Sequence, residues 1–213
     1  MIVPLLLSLA IAGDSLGAAV TAVPARARLD LSDLVVAEAT VQHEVQRGGF
    51  PGAALAVGRG DHAIVEEGIG TTDWGATPVD PDRTMYDLAS LTKVVATTTA
   101  VMLLVEDGKM SLDAPVSRYL PEFSGGAKDR VTIRQLLTHT SGLPAWRELW
   151  GTPDEALYRA ITTPLVREPG TRVEYSDVGF VVLFAAAQRA AGEPLPELLR
   201  RRVWAPLGMN STM

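Results

Sequence analysis

Cysteine is absent from all 213 residues, which excludes a disulfide framework, a thiol nucleophile and a Cys-ligated metal. Histidine is nearly as scarce. His43, His62 and His139 are scattered, without the close His/Glu spacing of a metalloenzyme, so no metal or other cofactor is implied. Lysine occurs only at Lys93, Lys109 and Lys128, and the formal net charge is −6. That balance argues against a nucleic-acid partner, which would favour a basic patch. Repeats and low-complexity linkers are also missing. A length of 213 residues with 47% hydrophobic content fits one domain, or a domain with a sub-domain, able to bury a sizeable core.

The first apolar run, Ile2–Ala12, is too short to span a bilayer comfortably. Small residues follow, with Val20-Thr21-Ala22 or Ala25-Arg26-Ala27 as candidate cleavage sites, so residues 1–22 read as a secretory signal peptide. The expected product is periplasmic or secreted, with no stable membrane span. Gly13-Asp14-Ser15-Leu16-Gly17 lies at the end of that run and satisfies both the G-x-S-x-G nucleophile elbow and a GDSL esterase signature. An elbow needs a strand before it and a helix after it, and only leader-like sequence precedes Ser15. No histidine has Asp three residues before it, as a GDSL enzyme requires. Ser15 is a decoy.

Asp30 or Ser32 can cap a helix running to about Arg47, which Gly48-Gly49 ends. The stretch 51–70 (PGAALAVGRGDHAIVEEGIG) gives two short apolar runs around a Gly-rich turn, a β-hairpin. Arg59-Gly60-Asp61 spells an adhesion tripeptide, but these are simply good turn formers. Residues 90–106 (SLTKVVATTTAVMLLVE) are apolar on most faces, as a buried central helix would be. Thr132 caps a short helix through Leu137, and Thr152-Pro153-Asp154-Glu155 is a capping box with proline at the first helical position. A second apolar helix runs from Val178 to Ala191 and stops at Gly192. A last one lies near Glu197–Trp204. Trp74, Trp146 and Trp150 read individually as buried packing residues rather than cleft walls. A lone hairpin is a poor sheet, so strands that should pair with it are missing.

Ser90-Leu91-Thr92-Lys93 is the only Ser-x-x-Lys in the chain. On a helix, positions i and i+3 share a face, so the amine can lie beside the hydroxyl. Burial lowers a lysine's pKa, and a neutral amine can take the serine proton. A helix N-terminus also favours a developing oxyanion. The motif alone is weak, with about 0.14 chance matches expected in a chain of this make-up. Downstream lie His139-Thr140-Ser141-Gly142-Leu143-Pro144 and Glu174-Tyr175-Ser176-Asp177, the latter opening the second apolar helix.

With FPGAALAV (50–57), YDLASLTK (86–93), HTSGLP (139–144), EYSD (174–177) and PLGM (206–209) in this order, the chain resembles the serine β-lactamase and penicillin-binding-protein superfamily. Within it the likeness is to the class C-type branch, which also holds bacterial esterases and D-alanyl-D-alanine carboxypeptidases. The resemblance runs from about Leu31 to Met213. It implies an α+β fold, an antiparallel sheet flanked by helices with an all-helical sub-domain, and a serine hydrolase domain over residues 29–213.

By position, the resemblance makes Ser90 the acylated nucleophile, Lys93 the group that helps deprotonate it, and Tyr175 the general base and then acid. A tyrosine can do this only if Lys93 favours its phenolate. Asp177 stands where β-lactamases usually have asparagine. An ionised Asp can only accept hydrogen bonds, so this departure suits an esterase or divergent peptidase; Asp177 could instead pair with Lys93 and hold it charged. The family places the His139 segment structurally, at the end of a short helix.

The family's third motif, Lys-Thr-Gly or an esterase His-x-Gly or Trp-x-Gly, does not occur after Asp177. The chain therefore reads as the N-terminal part of a longer enzyme. Its late sheet strands would be missing, and the apolar faces of helices 90–106 and 178–191 are expected to be uncovered. The implied partners are small: an ester, a β-lactam or a peptidoglycan-type substrate. The alternative to a hydrolase is a non-catalytic penicillin- or peptidoglycan-binding fragment. Sequence leaves the oligomeric state open.

Overall fold

A computed structural model of the chain describes residues 31–60 and 62–212. The leader and Ser15 lie outside these residues. The fold is α+β and divides into two compact units, one ending at Tyr86 and the other beginning at Asp87.

In the first unit, α1 (Leu31–Gln46) is followed by β1 (Gly52–Arg59) and β2 (His62–Gly70), an antiparallel pair in register from Gly52↔Gly70 to Arg59↔His62. A register shift between Val57 and Gly58 marks a bulge. Leu34 of α1 buries against Ile64 and Val65, with Leu55 and Val57 partly covered beside them. Arg59 closes one strand and His62, its partner in the register, opens the next, so Gly60 sits in the hairpin connection. Among the described residues the sheet has two strands.

The second unit is helical and holds the main core. A 3-10 turn (Ala89–Leu91) leads into a π-helical stretch (Lys93–Thr98) and then α2 (Thr99–Glu106). Short helices α3 (Ile133–Leu137) and α4 (Pro153–Thr162) precede the long α5 (Asp177–Ala191). Then come α6 (Leu195–Leu199) and a π-helical turn, Arg200–Trp204. Thr132 and Thr152 each form a full capping box, with Gln135 and Glu155 respectively. Gly192 adopts φ 74 and ends α5, a conformation that glycine reaches without penalty.

The expected uninterrupted helix over 90–106 is thus a composite of three helical types. Thr92, Val94, Val95, Thr97, Thr98 and Thr99 crowd this stretch with β-branched side chains, which weaken regular α geometry. Nor is it buried all round. Thr97, Ala100, Val101 and Leu104 face the core, while Leu91, Val94 and Met102 are exposed. Val94, Thr98, Met102, Leu103 and Val105 line an apolar groove of about 530 Å³.

The expectation of an uncovered face fails for α5. Its Val178, Phe180, Val182, Leu183, Ala185, Ala186 and Ala187 are buried. Helices α2, α3, α4 and α6 all pack against it, and its run of alanines allows close approach. Leu104, Leu120, Phe123, Leu136 and Leu183 complete this core, each full burial contributing about 2 kcal/mol before conformational entropy is counted.

Candidate active site

Ser90 enters the helical stretch through a strained residue. Ala89 has φ 45, and the Asp87 carboxylate accepts its N–H at 2.8 Å, holding that conformation. The 3-10 turn around Ser90 eclipses positions three apart more closely than an α-helix would. Lys93 Nζ donates to Ser90 Oγ at 3.0 Å.

The second part of the site is built at the start of α5. Ser176 is the N-cap: its Oγ accepts the Gly179 N–H at 2.9 Å and donates to Pro144 O at 2.7 Å. The cap fixes its two neighbours. Tyr175 lies just outside the helix and Asp177 in its first turn, where a carboxylate is favoured by the helix dipole. Asp177 Oδ1 then pairs with Lys93 Nζ at 2.6 Å. Lys93 Nζ also lies 4.9 Å from the Tyr175 ring centroid and 5.7 Å from that of Phe180. Ser90, Lys93, Tyr175 and Asp177 are therefore together in one unit.

The His139–Ala145 segment anchors this arrangement. Glu174 N–H donates to His139 O at 2.8 Å, and Asp177 N–H to Ala145 O at 2.8 Å. Between them, Ser176 N–H donates to His139 Nδ1 at 3.0 Å. Val166 N–H reaches Gly142 O and Gly170 N–H reaches Thr140 O. Gly142 itself has φ 82, and a Cβ added there would lie 2.3 Å from Arg167 O. Backbone cannot yield as a flexible side chain can. Gly142→Ala is accordingly expected to lose about 2 kcal/mol or more, measurable as a lower urea midpoint with an unchanged slope. An unchanged midpoint would show that the two loops separate freely.

The charges decide which proton carriers are available. Burial pushes Lys93 down, but hydrogen bonds and charge interactions with Asp177 and Tyr175 outweigh it, so its pKa is raised. Of the two states the sequence allowed for Lys93, the carboxylate at 2.6 Å favours the ammonium over the neutral amine. Tyr175 moves the other way. Its pKa is lowered, first by hydrogen bonding to Lys93 and then by Ser90, against some desolvation and the Asp177 charge. Of the two readings of Asp177, pairing with Lys93 is the one observed.

His139, which the sequence consigned to structure, touches the site directly. It ends α3 with φ 56 and stacks on Tyr175 at 4.4 Å between ring centroids. Ser176 and Phe180 are the participants missed altogether. An N-cap signal was present in Ser176 ahead of an apolar run, whereas nothing local marks Phe180. Trp74, Trp146 and Trp150 are not buried as expected, with 72%, 60% and 70% of their surface exposed. Trp204 is the tryptophan that fills the core.

Esterase EstB of Burkholderia gladioli is 36% identical over 181 residues, 75% of this chain and 46% of that protein. The structure of the octameric penicillin-binding protein homologue from Pyrococcus abyssi superposes with a TM-score of 0.74 at 28% identity, over 85% of this chain and 44% of that one. The β-lactamase/D-alanine carboxypeptidase of Yersinia pestis gives 0.65 at 28% identity, over 81% and 54%. The chain spans about half the length of the curated relatives it matches. A family model described as Beta-lactamase matches residues 37–213. That match takes in both Ser90–Lys93 and Tyr175–Asp177, and on it the chain belongs to the Beta-lactamase family.

Proposed function

We propose that this chain carries the acylating half-site of a serine hydrolase that acts on esters or D-Ala-type peptides in preference to β-lactams. The observation that carries the reading is the single ammonium of Lys93, bonded to Ser90 Oγ at 3.0 Å and to Asp177 Oδ1 at 2.6 Å beside a phenol of lowered pKa. An ammonium donates and cannot remove the serine proton. The Tyr175 phenolate is then the base. Ser90 Oγ bonds to the acyl carbon while its proton passes to the Tyr175 oxygen. The acyl-to-leaving-group bond breaks, and Tyr175 returns the proton to the departing oxygen or nitrogen. Lys93 stays charged throughout and stabilises the phenolate.

Asp177 supports the substrate preference. Its carboxylate cannot donate to an amide carbonyl as asparagine would, a loss that matters least for simple esters. Resemblance to a protein named an esterase points the same way.

Incubation with p-nitrophenyl butyrate or a fluorescent penicillin, followed by peptide mass mapping, tests the reading. A butyryl adduct on the Ser90 peptide, at higher yield than the penicillin adduct, is the expected result. A butyryl adduct on any other serine would sink it. Asp177→Asn removes a negative charge that opposes ionisation of Tyr175. The acid limb of Ser90 acylation should consequently move to lower pH, and the penicillin adduct should gain on the butyryl one. A shift to higher pH would mean that Asp177 aids Tyr175 chiefly by holding Lys93.

A further inference from the structure

We propose that His139 is a positioning residue, fixing the Tyr175 ring through the bond from Ser176 N–H to Nδ1 and through the stacked imidazole face. The proposal rests on the assignment of Tyr175 as the proton carrier. Three observations carry it. The Nδ1 bond at 3.0 Å and the His139 O bond at 2.8 Å hold the backbone on both sides of Tyr175. The imidazole lies against the Tyr175 ring at 4.4 Å with an interplanar angle of 30°. Phe180 packs against the imidazole at 5.0 Å, restricting its rotation.

An acceptor at Nδ1 requires a lone pair there, so the neutral ring carries its proton on Nε2. Protonation would place N–H against N–H at Ser176 and break that bond. It would also set a cation near Lys93. Burial first, and then the Lys93 charge, lower the pKa of His139, while Asp177 opposes them. The other ionisable groups around it are Tyr175 on its face and Glu174, already paired with Arg167 at 2.9 Å. The neutral, bonded form therefore prevails at neutral pH and is lost as pH falls through the lowered pKa. Low pH detaches the Tyr175 segment.

The conservative substitution is asparagine. Its Oδ1 can accept the Ser176 N–H, it tolerates the left-handed backbone found at φ 56, and it does not titrate. In His139→Asn, Ser90 acylation should stay within about tenfold of the unsubstituted chain at pH 8 and lose its His139-dependent step at low pH. In His139→Ala it should fall about 100-fold at every pH, as a displacement near 1 Å can cause.

A second readout needs no turnover. The phenolate absorbance of Tyr175, obtained by difference against Tyr175→Phe, should titrate at a low pKa in the unsubstituted chain and in His139→Asn. It should move up toward the ordinary tyrosine value in His139→Ala. Nitrogen-15 NMR should place the imidazole proton on Nε2. A folded His139→Ala with unchanged Tyr175 titration, or a proton on Nδ1 at neutral pH, would overturn the proposal. Should Tyr175 titrate as expected while Ser90 stays unlabelled, the catalytic reading fails and the positioning role stands.

Discussion

Ser90→Ala should abolish covalent labelling, with acylation by p-nitrophenyl butyrate falling on the order of 10⁴-fold or more and no serine elsewhere taking the label. Other hydroxyls near the site cannot substitute. Ser176 is buried, with its Oγ donating to Pro144 O and accepting from Gly179. Ser141 is likewise buried and accepts the Leu143 N–H. Ser90 is exposed, and Lys93 donates to its Oγ at 3.0 Å. Its removal should thus leave the melting temperature within about one degree, since isolated surface changes seldom exceed ±0.5 kcal/mol. Mass spectrometry of intact protein and of the peptide spanning position 90 checks the labelling, and a thermal melt checks the stability. Persisting acylation in the alanine variant would place the nucleophile elsewhere.

Lys93→Ala and Tyr175→Phe should each slow Ser90 acylation by about 10³-fold, and the double variant by little more than either single change. Residues that act as one proton-transfer unit lose their joint effect once, so their free energies do not add. The two singles should nonetheless differ in kind. Without Lys93 the phenol loses the cation that lowers its pKa, so the remaining acylation should rise with pH into the ordinary tyrosine range. Without the phenol hydroxyl there is no such group, and the residual rate should lack that limb. Stopped-flow release of p-nitrophenol over a range of pH separates these cases. Fully additive losses would mean that Lys93 and Tyr175 work on different steps.

Much of this site was legible because its parts are local. Ser90 and Lys93 fall three apart, and Thr132 and Thr152 each announce a helix start through short-range hydrogen bonds. The hairpin was readable for the same reason, with alternating apolar residues on either side of a turn. What escaped depends on contacts far apart in the chain. The pairing of Lys93 with Asp177, 84 positions later, stood in the sequence only as one of two readings, because burial alone pointed to a neutral amine. Surface exposure of Trp74, Trp146 and Trp150 was misjudged because tryptophan's size favours burial on average, whereas local composition does not say what covers it. His139 was hidden differently: its backbone ends a helix, and only the fold brings its ring to Tyr175.

The π-helical stretch Lys93–Thr98 has a consequence for insertions and deletions. A π-turn holds about one residue more than an α-turn over the same rise. Each residue in a regular α-helix turns the chain by about 100°. Removing one residue between Val94 and Thr98 would let the segment relax into plain α-helix while Ala100, Val101 and Leu104 kept their core positions. By the same geometry Lys93 would keep its place relative to the core positions. Loss of one residue within 94–98 should therefore be tolerated better than loss of one within Thr99–Glu106, where each missing residue rotates the core face by about 100°.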